Sequence, residues 1–169
     1  MTTLNQFKQY LSYDPSSGKI EWIKSPTPKI PAASVAGSIN LDGYRQIKFQ
    51  NKIYQASHVA WFLTHGIWPA QTIDHINGIR DDDRIVNLRE SSHQENCCSR
   101  VVRSDSTSKL KGVSKHNSQW RARIWDPVLK KNMNLGVFTS SEFAAKAYDK
   151  MAIKIHGKFA KTNKSMGLI

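Results

Sequence analysis

Apolar positions recur at different spacings along the chain, and each spacing predicts a different element. Near the N-terminus Leu4, Phe7 and Leu11 fall on one face of a short helix that Thr3 can cap. Asp14-Pro15-Ser16-Ser17-Gly18 then reads as a turn into a strand from Lys19 to Trp22. After a Pro-rich loop at 25–33, Asp42-Gly43 is a hairpin signal, and Tyr44, Ile47, Phe49, Ile53 and Tyr54 suggest two short strands around Asn51-Lys52. A helix from Ser57 to His65 stops at Gly66, and short strand and turn signals lead to another helix beginning near Ser92. Residues 103–109, RSDSTSK, are polar and turn-rich and read as a linker.

Beyond the linker the alternation is strict. In the run Trp120 to Trp125, Trp120, Ala122 and Ile124 would face a core while Arg121, Arg123 and Trp125 face outward. Asn132 to Phe138 repeats this, with Met133, Leu135 and Val137 inward and Asn132 and Asn134 outward. Thr139-Ser140-Ser141-Glu142 has capping-box spacing, and Phe143, Ala144, Ala147, Tyr148, Met151, Ala152 and Ile155 give one apolar helix face ending at Gly157. The pattern predicts an α+β chain in two parts: residues 1–102, with a core motif at 57–100, and a compact ββ(β)α unit at 110–163. A flexible tail at 164–169 would follow.

Charge sharpens this division. The 169 residues carry 25 Lys and Arg against 13 Asp and Glu, a net charge of +12, and a polyanionic partner is the usual reason for such an excess. Residues 1–99 are close to neutral, at 10 basic and 9 acidic side chains, whereas residues 100–169 hold 15 basic and 4 acidic. Mere solubility would not confine the charge to one end. No apolar run reaches the roughly 20 residues of a membrane span, and the start MTTLNQFKQY lacks the basic and apolar regions of a signal peptide, so an intracellular protein with no membrane partner is expected. The two cysteines, Cys97 and Cys98, are adjacent, which gives neither a disulfide framework nor zinc-site spacing.

Candidate chemistry lies in three runs: Thr72-Ile73-Asp74-His75-Ile76-Asn77-Gly78, then Asp82 to Arg89, then Ser92-His93-Gln94-Glu95-Asn96. Hydrolysing a phosphodiester needs an activated water and stabilisation of charge on the phosphate and the leaving oxygen. A neutral imidazole serves the first need and a hard divalent cation the second. Asp74 and His75 offer both in adjacent positions. On a strand they would point to opposite faces, so a bend at Ile76-Asn77-Gly78 would be needed for them to converge.

These runs resemble the HNH endonuclease family, and within it the branch of phage homing endonucleases. The matching pieces are His58-Val59-Ala60, Asp74-His75-Ile76-Asn77-Gly78, Asp82-Asp83-Arg84 through Asn87-Leu88-Arg89, and Glu95-Asn96. The resemblance implies a ββα-metal module with His75 as general base and Asp74 as metal ligand. It further implies Asn87 as the residue that holds the loop and orients His75, and Asn96 as a second ligand. Oxygen donors of this kind suit one magnesium or manganese ion. His93, one turn before Asn96, is an alternative ligand, a phosphate contact or an exposed helix histidine. His58 reads as a packed histidine outside the site. Asp83 departs from the pattern, since the family commonly has Asn there.

The stretches Ser108 to Val113, Trp120 to Ile124, Leu135 to Phe138, Ala144 to Asp149 and Phe159-Ala160 with Asn163 are similar to the AP2/ethylene-response-factor DNA-binding domain. That resemblance implies a three-stranded antiparallel sheet in the major groove of double-stranded DNA, backed by one helix. Lys111, Lys115, Arg121, Arg123, Trp125, Asn132 and Asn134 become the candidate DNA contacts. No protein partner is implied.

Overall fold

A computed structural model describes residues 3–98, 101–102 and 105–169. The expected linker at 103–109 and the expected packing of Leu4 therefore lie partly or wholly outside the described residues and side chains. Contacts divide the chain into two compact units, Met1–Ser92 and His93–Ile169.

The first unit opens with helix α1 (Thr3–Tyr10), which runs directly into strand β1 (Leu11–Tyr13). Strand β2 (Ile20–Trp22) pairs antiparallel with β1 across the turn at Asp14–Gly18, with Leu11 opposite Trp22 and Tyr13 opposite Ile20. A three-stranded antiparallel sheet follows, in the order β3 (Ser38–Ile39), β4 (Arg45–Phe49), β5 (Lys52–Gln55). The β4–β5 turn is made by Gln50 and Asn51, both with positive φ (49° and 62°), one residue earlier than the Asn51-Lys52 expected. Two consecutive left-handed residues are what a twisted two-residue hairpin requires.

Helix α2 (Ala56–His65) ends where Gly66 adopts the left-handed conformation and returns its N–H to Phe62 O. The unit closes with a two-stranded antiparallel hairpin, β6 (Thr72–His75) and β7 (Leu88–Ser91), joined by a loop and a short 3-10 turn at Ile85–Asn87. Its core gathers Phe7, Leu11, Ile20, Trp22, Ile47, Phe49, Val59 and Phe62 with Ile73 and Leu88 of the last hairpin. Phe7 sits at its centre, stacked on Trp68 at 6.2 Å and edge-on to Tyr54 at 4.9 Å. Apolar packing therefore fixes β6 and β7 through one residue each and leaves their neighbours for polar work.

The second unit begins with the short helix α3 (His93–Cys98). A three-stranded antiparallel sheet follows in the order β10–β9–β8, made of β8 (Val113–His116), β9 (Gln119–Asp126) and β10 (Lys131–Phe138). Helix α4 (Ser141–His156) covers one face, as the sequence pattern predicts. Ala144, Ala145 and Ala152 are wholly buried, which lets the helix lie close to Ala122 and Ile124. Gly112 brings this close too: a Cβ there would sit 1.9 Å from a Tyr148 ring carbon.

Three expectations are corrected. The cap of α4 is Ser140, whose hydroxyl accepts from Phe143 N at 3.2 Å, and not Thr139. Phe143 does not join the core stripe but stands 58% exposed. Val137 points outward because a bulge between Asn134 and Gly136 shifts the register of β10, and Phe138 packs inward in its place.

Candidate functional site

The polar work of the first unit is concentrated in the β6–β7 hairpin. Asp74 lies directly across from Arg89 in the antiparallel register, and Arg89 donates to its Oδ2 from Nε at 2.9 Å and from NH2 at 2.6 Å. Both side chains are largely buried. His75 follows on the opposite face of the strand and places its Nε2 2.9 Å from Oδ1 of Asp83, with both side chains almost wholly buried. Each of the two candidate groups thus has its own partner. The turn closed by Gly78 N–H to His75 O comes after the pair, so it does not fall between them.

Asn87 organises the loop. Its Oδ1 accepts from Asn77 N at 2.9 Å, its Nδ2 donates to Asp82 O at 2.8 Å, and its carbonyl accepts from Ile76 N. Both ends of the loop are thereby tied to one buried amide. Asp82 is bound in turn by the Arg84 guanidinium at 2.7 and 2.5 Å and by Asn77, which hold its carboxyl down at about 2. The hydrogen bonds of Asn87 run to the loop backbone, and it is Asp83 that contacts the imidazole.

The N-terminal hairpin buttresses this loop from outside. Tyr13 donates its hydroxyl to Asp83 O at 2.7 Å, and burial, together with the Asp83 carboxylate, pushes that hydroxyl up to about 12. Gly18 packs so closely that a Cβ would lie 2.6 Å from Arg84 N and 2.8 Å from Asp83 C. Its φ of +76° is one that other residues rarely adopt.

Two further groups surround His75. His58 lies within electrostatic reach of both Asp83 and His75; burial pulls it below the usual histidine value, Asp83 opposes this and His75 adds to it. Its ring also packs against Trp68, with the centroids 5.9 Å apart. On another side the Tyr44 ring lies 6.0 Å from the His75 ring, and Arg80 sits over Tyr44 at 5.2 Å while donating to Asp42 O. That an exposed cation rests on the ring neighbouring His75 was not evident from spacing, because Tyr44 and Arg80 lie far apart in sequence.

As for a metal ion, the described residues contain no group of three or more His, Cys, Asp or Glu arranged to hold one. A magnesium-type cation does not need such a group, since it accepts one or two protein oxygens and fills the rest with water and phosphate oxygens. Buried Asp74 is a donor of that chemistry. Asn96, on α3, belongs to the second unit and is half-buried, as are Cys97 and Cys98; His93 is exposed.

In the second unit the sheet face away from α4 carries rows of paired side chains: Arg121 with Ser114 and Val137, Arg123 with Asn134, and Trp125 with Asn132. Arg121 also approaches the His116 ring at 2.6 Å. Two candidates stand off this face. Lys115 pairs with Trp120 and so belongs to the helix side of the sheet, and Lys111 donates its ammonium to Cys98 O at 2.7 Å. Burial brings Lys111 down to about 8. His116, on the outer face, was missed because the alternation in β8 is too short to read.

A sequence model described as HNH endonuclease matches residues 54–97, which span α2, the β6–β7 hairpin and most of α3. The C-terminal half is similar to plant transcription factors. An ethylene-responsive transcription factor of Arabidopsis thaliana is 49% identical over 51 residues, 30% of this chain and 32% of that protein. An APETALA2-like protein of Oryza sativa subsp. indica is 41% identical over 58 residues, 34% of this chain and 13% of that protein. An AP2-like ethylene-responsive transcription factor of Arabidopsis thaliana is 33% identical over 99 residues, 57% of this chain and 18% of that protein. The chain spans about a third or less of the length of these curated relatives. No described helix is long and apolar enough to cross a membrane. Along its length the chain thus pairs a segment similar to HNH endonucleases with a segment similar to AP2-like transcription factors.

Proposed function

We propose that this chain is a metal-dependent DNA endonuclease of the homing type, in which residues 1–102 cut and residues 110–163 select and hold the site on double-stranded DNA. The observation that carries the reading is the hairpin itself: Asp74, His75 and Asn87 lie within the segment that matches HNH endonucleases, each fixed by named hydrogen bonds. Asp74 would give a carboxylate oxygen to one magnesium or manganese ion, which when bound would supply charge stabilisation at the scissile phosphate.

His75 takes a proton from water as the water oxygen forms its bond to phosphorus. The bond from phosphorus to the leaving oxygen breaks, and that oxygen takes a proton from solvent. Asn87 keeps the loop closed beneath the imidazole. Arg80, which lies over the Tyr44 ring, would meet a phosphate, and the face carrying Arg121, Arg123, Trp125, Asn132 and Asn134 would meet the groove.

The test is incubation of purified protein with a defined duplex and magnesium, with cuts mapped strand by strand. Metal-dependent cuts at one site support the reading; random cuts make it a general nuclease. A second reading, a DNA-binding regulator that does not cut, is favoured by the hold of Arg89 on Asp74 and the near-complete burial of His75. Specific binding without cleavage in magnesium or manganese would establish it.

A further inference from the structure

We propose that Asp83 is the positioning residue of His75: its carboxylate fixes which imidazole nitrogen carries the proton and so which one faces the reaction as a base. The inference rests on the nuclease reading for its catalytic meaning, and it concerns the one position where this chain departs from the pattern of the phage homing endonucleases it resembles. A carboxylate only accepts hydrogen bonds, so the 2.9 Å contact requires His75 Nε2 to donate, which leaves the lone pair of a neutral ring on Nδ1.

Three features show that the carboxylate is held for this contact. Asp83 is 2% exposed, so it has little competing water. Its backbone is pinned on both sides, by Tyr13 at its own carbonyl and by Asn87 at the carbonyl of Asp82. The hairpin that supplies Tyr13 approaches so closely only because residue 18 is glycine, whose missing side chain would otherwise strike Asp83 and Arg84. Residues about seventy positions apart thus converge on one carboxylate. A surface aspartate in a polar loop would show none of this. Asparagine at position 83 could accept from Nε2 through its oxygen or donate through its nitrogen, so it would not fix the ring to one tautomer.

The test uses the full chain with nitrogen-15-labelled histidine. In the wild type the His75 signals should be those of the Nε2–H tautomer; in Asp83→Asn, which keeps volume and fold, they should move to a mixture, and in Asp83→Leu the preference should be lost. Single-turnover cleavage should lose between about 10-fold and 10⁴-fold in rate with little change in apparent DNA affinity, and Asn should retain more activity than Leu. A merely structural aspartate would change stability and leave the tautomer of a folded variant unaltered. An Nδ1–H tautomer in the wild type, or variants with wild-type tautomer and rate, overturns the proposal. A wild-type chain that cuts no DNA instead defeats the nuclease reading, and the tautomer measurement, which needs no cleavage, still reports whether Asp83 holds the ring.

Discussion

Arg89 grips Asp74 from directly across the β6–β7 ladder, with two nitrogens on a single carboxylate oxygen. Removing one member of such a buried pair leaves an uncompensated charge, which costs about 3–5 kcal/mol, whereas removing both can be nearly neutral. Arg89→Met should therefore destabilise the chain by about that amount, and Arg89→Met with Asp74→Asn should cost much less than the sum of the two changes. Urea unfolding of the four proteins in the cycle measures this. Additive costs would mean that the pair contributes no coupling.

Gly18 provides a separate way to disturb the loop without touching it chemically. Gly18→Ala places a methyl 2.6 Å from Arg84 N at a φ of +76°, and the left-handed conformation alone costs roughly 1–2 kcal/mol for a residue with a Cβ. The variant should melt lower and also cut more slowly, because Asp83 must move with the backbone it clashes with. Thermal unfolding and cleavage rates on the same preparation check both. A lower melting temperature with an unchanged rate would separate the hairpin from the site.

Lys111 gives the second unit a pH signature. Folded Lys111 loses its proton near 8 because it is buried, against an ordinary value of 10.5, so between these values the unfolded chain binds more protons and stability rises with pH. Cys98, raised by burial from 9.0, acts in the opposite sense above that value, and Asp149 and Lys161 are the other charges nearby. Stability of Lys111→Met measured between pH 7 and 9 should lack the rise that the wild type shows. Since its ammonium caps Cys98 O, this change should also leave the salt dependence of DNA binding unaltered.

Arg123 should behave differently. It is exposed on the outer sheet face beside Asn134, so Arg123→Ala should weaken binding. If it reads a base edge, the loss is about 1–3 kcal/mol and confined to one base pair; if it grips phosphate, all sequences weaken and the log–log salt slope falls by about 0.9. Gel shifts on specific and random duplexes at several salt concentrations distinguish the two. No loss on any duplex would remove this face from the interface.

Much of this was legible in the residues. The alternation of β9 placed Ala122 and Ile124 inward and Arg121, Arg123 and Trp125 outward because a regular strand obeys a period of two. The same rule failed one strand later, at Val137, because a bulge is a local backbone event that leaves no trace in the apolar pattern except Gly136 at φ +121°. Thr139 and Ser140 both satisfy the chemistry of a cap, and only the path of the chain into α4 chooses between them. In the candidate site, the motif named Asp74, His75 and Asn87, all of which stand on one hairpin. The partners Arg89 and Asp83 were visible as letters but not as partners. Asp83 stands out in the sequence only as a departure from the family pattern, because its burial and its bond to His75 depend on Tyr13 and Gly18, which are far away in sequence.

The most direct measurement of the central claim is strand-by-strand mapping of cuts by the wild type and His75→Ala on one defined duplex with magnesium, alongside the affinity of each for that duplex. The wild type should give metal-dependent cuts, His75→Ala should cut at least about 100-fold more slowly, and the two should bind the duplex equally, since the binding charge lies in the C-terminal part. Cleavage by His75→Ala at the wild-type rate would contradict that claim.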